Sequence, residues 1–287
     1  MSFSESTFVF DSHGQDLPAI ISSPAAAGVT GVVVVVGGPQ YRVGSHRQFV
    51  LLARSLAAAG IPAMRFDSGG MGDASGPLLN FEQIEANIAS AIDAFLARQP
   101  GLQNVVLWGL CDAASACLFY AWRDPRVSGL ILLNPWVRTD AGLAQAYVKH
   151  YYRQRLLSRE FWGKLIGGGV DVRGAVRGFL AKLRQSRQAE NHVPAGPSEV
   201  ERDASLPLPQ RMLRGMQRFS GRVLLILSGD DLTAAEFRNL VDASPEWQQQ
   251  LHAARVQVNE LKQASHTFSS RHWREQVERW TIDWVKQ

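Results

Sequence analysis

The chain has 287 residues, 46% hydrophobic and 20% charged, a balance that suits one α/β domain carrying an insertion and excludes global disorder. Net charge is only +4 despite a pI near 9.3, and without zinc-finger spacing, an RNA-binding aromatic signature or a basic helix with heptads, nucleic acid is not an expected partner. No apolar run approaches the ~20 residues of a membrane span, the opening MSFSESTFVF lacks the pattern of a secretory signal, and two cysteines, Cys111 and Cys117, are too few for a disulfide scaffold, so a cytoplasmic location is expected.

In chain order, Thr7–Phe10 and Pro18–Ser22 flank the turn-rich Ser12-His13-Gly14-Gln15 and predict an N-terminal hairpin. Near-continuous apolar runs follow at Val29–Val36, Ala63–Phe66, Val105–Trp108 and Gly129–Leu133. Such runs suit parallel strands covered on both faces. Between them, helices are predicted at His46–Ala59, Phe81–Ala97 and Asp112–Trp122. In the second, Phe81, Ile84, Ile88, Ile92 and Phe95 make one apolar stripe at helical spacing, a core face rather than a site. Cys117, in an apolar helical stretch, reads as core as well.

The alternation stops after Pro135, and about 85 residues pass before the next strand. They hold helical patterns at Leu143–Leu157, Phe161–Ile166 and Val172–Leu183, a polar loop from Gln185 to Ser205, and a return helix at Leu206–Phe219. Between Arg138 and Phe219, 15 Lys+Arg stand against 7 Asp+Glu. That excess is either a solvated helical surface or a face for an anionic partner, such as a lipid headgroup or acidic glycan. Strands then resume at Val223–Leu227 and Val256–Leu261, and a last helix is predicted at Ser269–Val285. Eight strands with an antiparallel start and strand–helix alternation match the α/β-hydrolase fold. The expected architecture is a mostly parallel eight-stranded sheet with a helical lid inserted after the sixth strand. Residues 1–137 and 220–287 would form its core and 138–219 the lid.

The stretch Val105–Ala116 reads strand, sharp turn, helix. Gly109-Leu110-Cys111-Asp112-Ala113 has the G-x-S-x-G spacing of a nucleophile elbow, with cysteine where serine is usual. The strained turn needs small residues two before and two after the nucleophile, and Gly109 and Ala113 supply them. A helix N-terminus favours the thiolate, so Cys111 is the candidate nucleophile. In this fold the order is nucleophile, acid, histidine. Of seven histidines, His266 alone follows the last strand and precedes the last helix, and it is the candidate base. His252 and His272 fall in predicted helices and read as surface. The acid belongs after Val223–Leu227, in Ser228-Gly229-Asp230-Asp231. Asp231 is preferred; Asp230 is the alternative, or the cap of the helix that follows. Two backbone donors are expected to hold the developing oxyanion. One is the N–H of Asp112, and the other that of Gly38 in Val36-Gly37-Gly38-Pro39-Gln40, unless that loop is simply a Gly-Pro turn. No His/Asp/Glu cluster shows metal-ligand spacing, so no metal and no cofactor is expected.

Four stretches carry a more specific resemblance: Gly37 to Phe49, Arg65-Phe66-Asp67 leading into Gly70-Met71-Gly72-Asp73, Gly109 to Ser115, and Ser228 to Ala234. Together they resemble the exosortase A system-associated hydrolases, type 1. The resemblance implies a cysteine α/β hydrolase encoded beside bacterial exopolysaccharide and exosortase genes. One loop departs from it. Where the family has Tyr-Arg-Gly-Met-Gly-Asp-Ser, this chain has Ser68 to Ala74 without those Tyr, Arg and Ser side chains. The expected reaction is cleavage of a carboxylic ester, thioester or lactone through an acyl-enzyme. The expected substrate is a small-molecule or lipid-like acyl compound, anionic in part. Acyl transfer to a sugar or lipid hydroxyl and a non-catalytic binding role are the alternatives.

Overall fold

The structure, a computed structural model, describes residues 2–38, 40–137, 203 and 205–287. Eight strands form one sheet: β1 (Phe3–Ser12), β2 (Gln15–Pro24), β3 (Thr30–Val35), β4 (Ala63–Phe66), β5 (Asn104–Leu110), β6 (Val127–Leu133), β7 (Arg222–Asp230) and β8 (Val256–Ser265). Their spatial order is β1-β2-β4-β3-β5-β6-β7-β8. β1 pairs antiparallel with β2, and β2 with β4. Every other pairing is parallel. This is the α/β-hydrolase sheet expected from the element order.

Among the described residues the helices are α1 (Gln48–Ala58), α2 (Glu85–Arg98), α3 (Asp112–Tyr120), α4 (Leu208–Arg218), α5 (Leu232–Ala243), α6 (Pro245–Leu251) and α7 (Arg271–Val285). Val32 to Val35 are fully buried, as a strand covered on both faces must be. On one face, Phe49, Leu52 and Leu56 of α1 and Val277 and Trp284 of α7 close a core over Val34, Trp108 and Ile131. Of the predicted stripe, Ile84, Ile88, Ile92 and Phe95 are buried, whereas Phe81 is only half-buried. The stripe's helix starts later than predicted, at Glu85. The Asn80 side chain takes the Glu82 N–H at 2.9 Å and holds residues 80–83 in a turn. A side-chain bond of this kind competes with the helix.

α4 is pinned to α3. A side chain on Gly215 would come within 2.1 Å of the Leu118 carbonyl oxygen. Arg211 lies over the Phe119 ring at 3.8 Å and pairs with Glu82 and Glu85. Chain contacts divide the molecule into two compact units, Met1–Val137 with Pro209–Gln287, and Arg138–Leu208. The helices expected between Leu143 and Leu183 lie outside the described residues, as does the loop expected from Gln185 to Ser205 except at 203 and 205. No helix among the described residues is long and apolar enough to cross a membrane.

Candidate active site

β5 delivers Cys111 to the N-cap of α3 with φ 62° and ψ −123°. A non-glycine residue holds such a backbone only when its surroundings enforce it. Here the Cys111 N–H donates to the Leu133 carbonyl (2.8 Å), and the Cys111 carbonyl accepts from Ala114 (3.1 Å) and Trp136 (3.2 Å). The turn also brings Gly109 against the next helix. A Cβ there would lie 2.7 Å from the Ala113 carbonyl and 2.8 Å from the Ala114 nitrogen. Those are backbone atoms and cannot yield, so the elbow needs glycine for space. Cys111 is partly exposed, whereas Cys117 is buried on α3. Burial pushes the Cys117 thiol far up, which makes it inert as well as inaccessible.

β8 ends at Ser265, and the next residue is His266. Its Nδ1 lies 2.9 Å from Asp231 Oδ2, and the Cys111 side chain acts electrostatically on the same ring. Burial disfavours a charged imidazole, but Asp231 and Cys111 outweigh it and push His266 up to about 10. The opposite holds for Asp231. Burial would raise its carboxyl, yet bonds from His266, Ala234 and Thr233 hold it below the ordinary range. The Asp231 carboxylate does two jobs at once, because it also caps α5 through the Thr233 (3.2 Å) and Ala234 (3.0 Å) N–H groups. The cap offered to Asp230 in the sequence reading therefore belongs to Asp231. Asp230 is exposed, the last residue of β7, and pairs in register with Ser265. His252 and His272 are exposed, the first at the C-cap of α6 and the second on α7.

Asn134, which sequence reasoning missed, ties the parts together. It is fully buried with φ 44° just after β6. Its amide donates to Ser228 Oγ (2.8 Å) and the His266 carbonyl (3.0 Å), and its Oδ1 accepts from the Ser228 N–H (2.9 Å). One side chain thus joins the ends of β6 and β7 to the histidine loop. The available signal was an asparagine directly before Pro135 at a strand end, which reads as an ordinary turn.

The loop after β3 places Gly38 at φ 60°; Pro39 lies outside the described residues. The Gly38 N–H donates to Asp112 Oδ2 at 2.7 Å, while Asp112 Oδ1 accepts the Ala113 N–H at 2.9 Å. One of the two donors expected for an oxyanion, the Gly38 N–H, therefore faces a side-chain carboxylate. Burial raises the Asp112 carboxyl in spite of these bonds. The loop is fastened from behind by Asp67, which is fully buried. It takes the Arg42 N–H (2.6 Å), the Arg42 guanidinium and the Asp73 N–H (3.0 Å). Arg42 also reaches Asp73 at 2.8 Å. The segment from Arg65 to Asp73 is thus a clamp on the Gly37-Gly38 loop.

A family model described as the alpha/beta hydrolase family matches residues 32–280. No curated protein matches the sequence. Among solved structures, the esterase Pf2001 of Pyrococcus furiosus aligns with a TM-score of 0.65 at 11% identity, over 99% of this chain and 92% of its own. Est1E of Butyrivibrio proteoclasticus, solved with ferulic acid, gives 0.60 at 14% identity, over 98% and 100%. The dienelactone hydrolase of Anabaena variabilis gives 0.58 at 14% identity, over 99% and 97%. At such identities the likeness is one of fold.

Proposed function

The chain belongs to the alpha/beta hydrolase family, and from that premise we propose that it cleaves a carboxylic ester, thioester or lactone through a Cys111-His266-Asp231 triad. The observation that carries this reading is the 2.9 Å contact between His266 and Asp231, with Cys111 held on the elbow at the N-cap of α3 and acting on the same imidazole. The esterase and lactone-hydrolase names among the structural neighbours agree with an acyl substrate.

An imidazolium beside a thiol favours the thiolate. The Cys111 thiolate attacks the acyl carbon, a C–S bond forms, and the carbonyl π pair moves onto oxygen. That oxyanion is stabilised by the backbone N–H groups of Gly38 and Asp112. As the carbonyl re-forms, the bond to the leaving group breaks, and its oxygen or sulfur takes the proton from the His266 imidazolium. Neutral His266 then removes a proton from water, which attacks the acyl-cysteine. Collapse expels the thiolate and restores the ion pair. Throughout, Asp231 holds the ring orientation and its charge.

The resemblance of the motifs to exosortase-associated hydrolases supports a role in a bacterial exopolysaccharide system. Free thiols at Cys111 and Cys117 fit a reducing compartment such as the cytoplasm. The basic excess between Arg138 and Phe219 supports an acyl substrate with an anionic or lipid-like part, and a lid is proposed for the part of 138–219 that precedes α4, since α4 packs on α3. Transfer to a sugar or lipid hydroxyl would share every step up to the acyl-cysteine, and product analysis with an oligosaccharide acceptor separates it from hydrolysis. The reading is tested with iodoacetamide and a panel of p-nitrophenyl and CoA esters, anionic and neutral. Cys111 should be alkylated far faster than Cys117, with loss of ester turnover in step. Alkylation that spares turnover, or equal labelling of the two thiols, contradicts it.

A further inference from the structure

We propose that the Asp112 carboxylate is a built-in occupant of the oxyanion hole, seated on the Gly38 N–H in the resting protein and displaced by the substrate's carbonyl oxygen. The inference rests on the reading of Cys111 as nucleophile and deepens it, because it concerns the same site. An oxyanion is held by donors 2.7–3.1 Å away. The Asp112 Oδ2 already sits 2.7 Å from the Gly38 nitrogen. As a carboxylate it carries the charge that an oxyanion would carry. A substrate oxygen and this carboxylate cannot both take the Gly38 donor at full strength.

The position is not one that helix capping alone demands. Cys111 is the N-cap of α3, and bonding to the adjacent Ala113 N–H uses only Oδ1. The other oxygen crosses to a loop 74 residues away in sequence. The loop is shaped to receive it. A Cβ on Gly37 would lie 2.1 Å from Asp112 Oδ1 and 2.7 Å from the Ala113 nitrogen. The space left by that missing side chain is where the carboxylate lies. Charge acts in the same direction. An anion beside the reacting carbon opposes the growth of a second one, so the seated carboxylate holds back acyl chemistry until a substrate binds well enough to move it.

The test compares two reagents on the parent protein and on Asp112→Ala and Asp112→Asn. An aryl trifluoromethyl ketone adds to a thiolate and creates an oxyanion, so its affinity reads both the thiolate and the hole. Iodoacetamide alkylates the same sulfur without forming an oxyanion, so its rate reads the thiolate alone. Asp112→Ala keeps the backbone N–H and removes the occupant. Ketone affinity should rise by roughly 10- to 100-fold beyond any change in alkylation rate, the scale of one charge-assisted hydrogen bond. Asp112→Asn keeps the size and an acceptor oxygen but not the charge, and it should fall between parent and Ala. Its near-identical shape also covers the case in which the alanine variant folds poorly. Ketone affinity that is unchanged, or that drops while alkylation persists, overturns the proposal and makes the carboxylate a structural tie. No alkylation of Cys111 in any of the three proteins overturns the nucleophile reading itself.

Discussion

At the scale of single residues, the His266–Asp231 pair makes the sharpest statements. His266 is raised to about 10, so its share of stability is complete below the ordinary imidazole value of about 6.5 and is lost as pH rises through about 10. Asp231 has the opposite sign. Its carboxyl is held low, so its share is complete above the ordinary carboxylate range and is lost on acidification. In turnover, the imidazolium must protonate the leaving group, and kcat/KM should fall as pH passes about 10. Asp231→Asn should lower kcat by orders of magnitude, since a triad without its orienting acid loses about 10⁴-fold. It should also move the alkaline limb down toward about 6.5. Asp230→Asn should change neither, and a larger loss there would reassign the acid; pH–rate profiles of the two variants decide. Much of this was legible in the sequence. Chain order and a glycine-flanked elbow selected Cys111 and His266. The sequence favoured Asp231 over its neighbour only by loop position, because the residue that caps α5 is also the one that meets His266, and a cap is a local feature that either aspartate could satisfy.

At the scale of elements, the site is assembled from strand ends that are far apart in sequence. Asn134 holds three of them in register through its bonds to Ser228 and His266. Asn134→Ala leaves the buried Ser228 N–H without that acceptor and frees the His266 carbonyl. The expected cost is about 1–3 kcal/mol of stability, with kcat reduced more than KM because the histidine loop loses its anchor. Urea unfolding and steady-state kinetics on the same variant check both, and an unchanged kcat would leave Asn134 a purely structural residue. Its role was hidden because its partners lie 94 and 132 positions away, a separation no local pattern reports. Strand legibility followed burial. The covered strands β3 and β5 stood out as apolar runs, whereas β1, β2 and β8 extend well beyond their predicted cores. Most of the residues that β1 and β8 add are exposed and polar, and β2 adds the polar Gln15 and Asp16 beside the buried Leu17, so periodicity there is weak. The late start of α2 has the opposite origin, since the turn held by Asn80 leaves the apolar spacing of Phe81 and Ile84 intact.

At the scale of the whole molecule, a parallel sheet gathers chemistry at the carboxyl ends of its strands. Cys111 follows β5, Asn134 follows β6, Asp231 follows β7 and His266 follows β8. Four adjacent strands in the order β5-β6-β7-β8 therefore bring together residues that span more than half of the sequence. The element order alone implied this convergence. What it did not imply is that the carboxylate beside the nucleophile would be seated on one of the two backbone donors, because that depends on how the Gly37-Gly38 loop meets α3. The central claim is that Cys111 carries the acyl group. It is tested most directly by mixing the protein with a p-nitrophenyl ester, quenching with acid within one turnover, and weighing the intact protein and its peptides. The account predicts a mass increase of one acyl group on the Cys111 peptide, absent in Cys111→Ala, whose turnover falls by at least about 10³-fold. An acyl group found on another residue, or full turnover in Cys111→Ala, would contradict it.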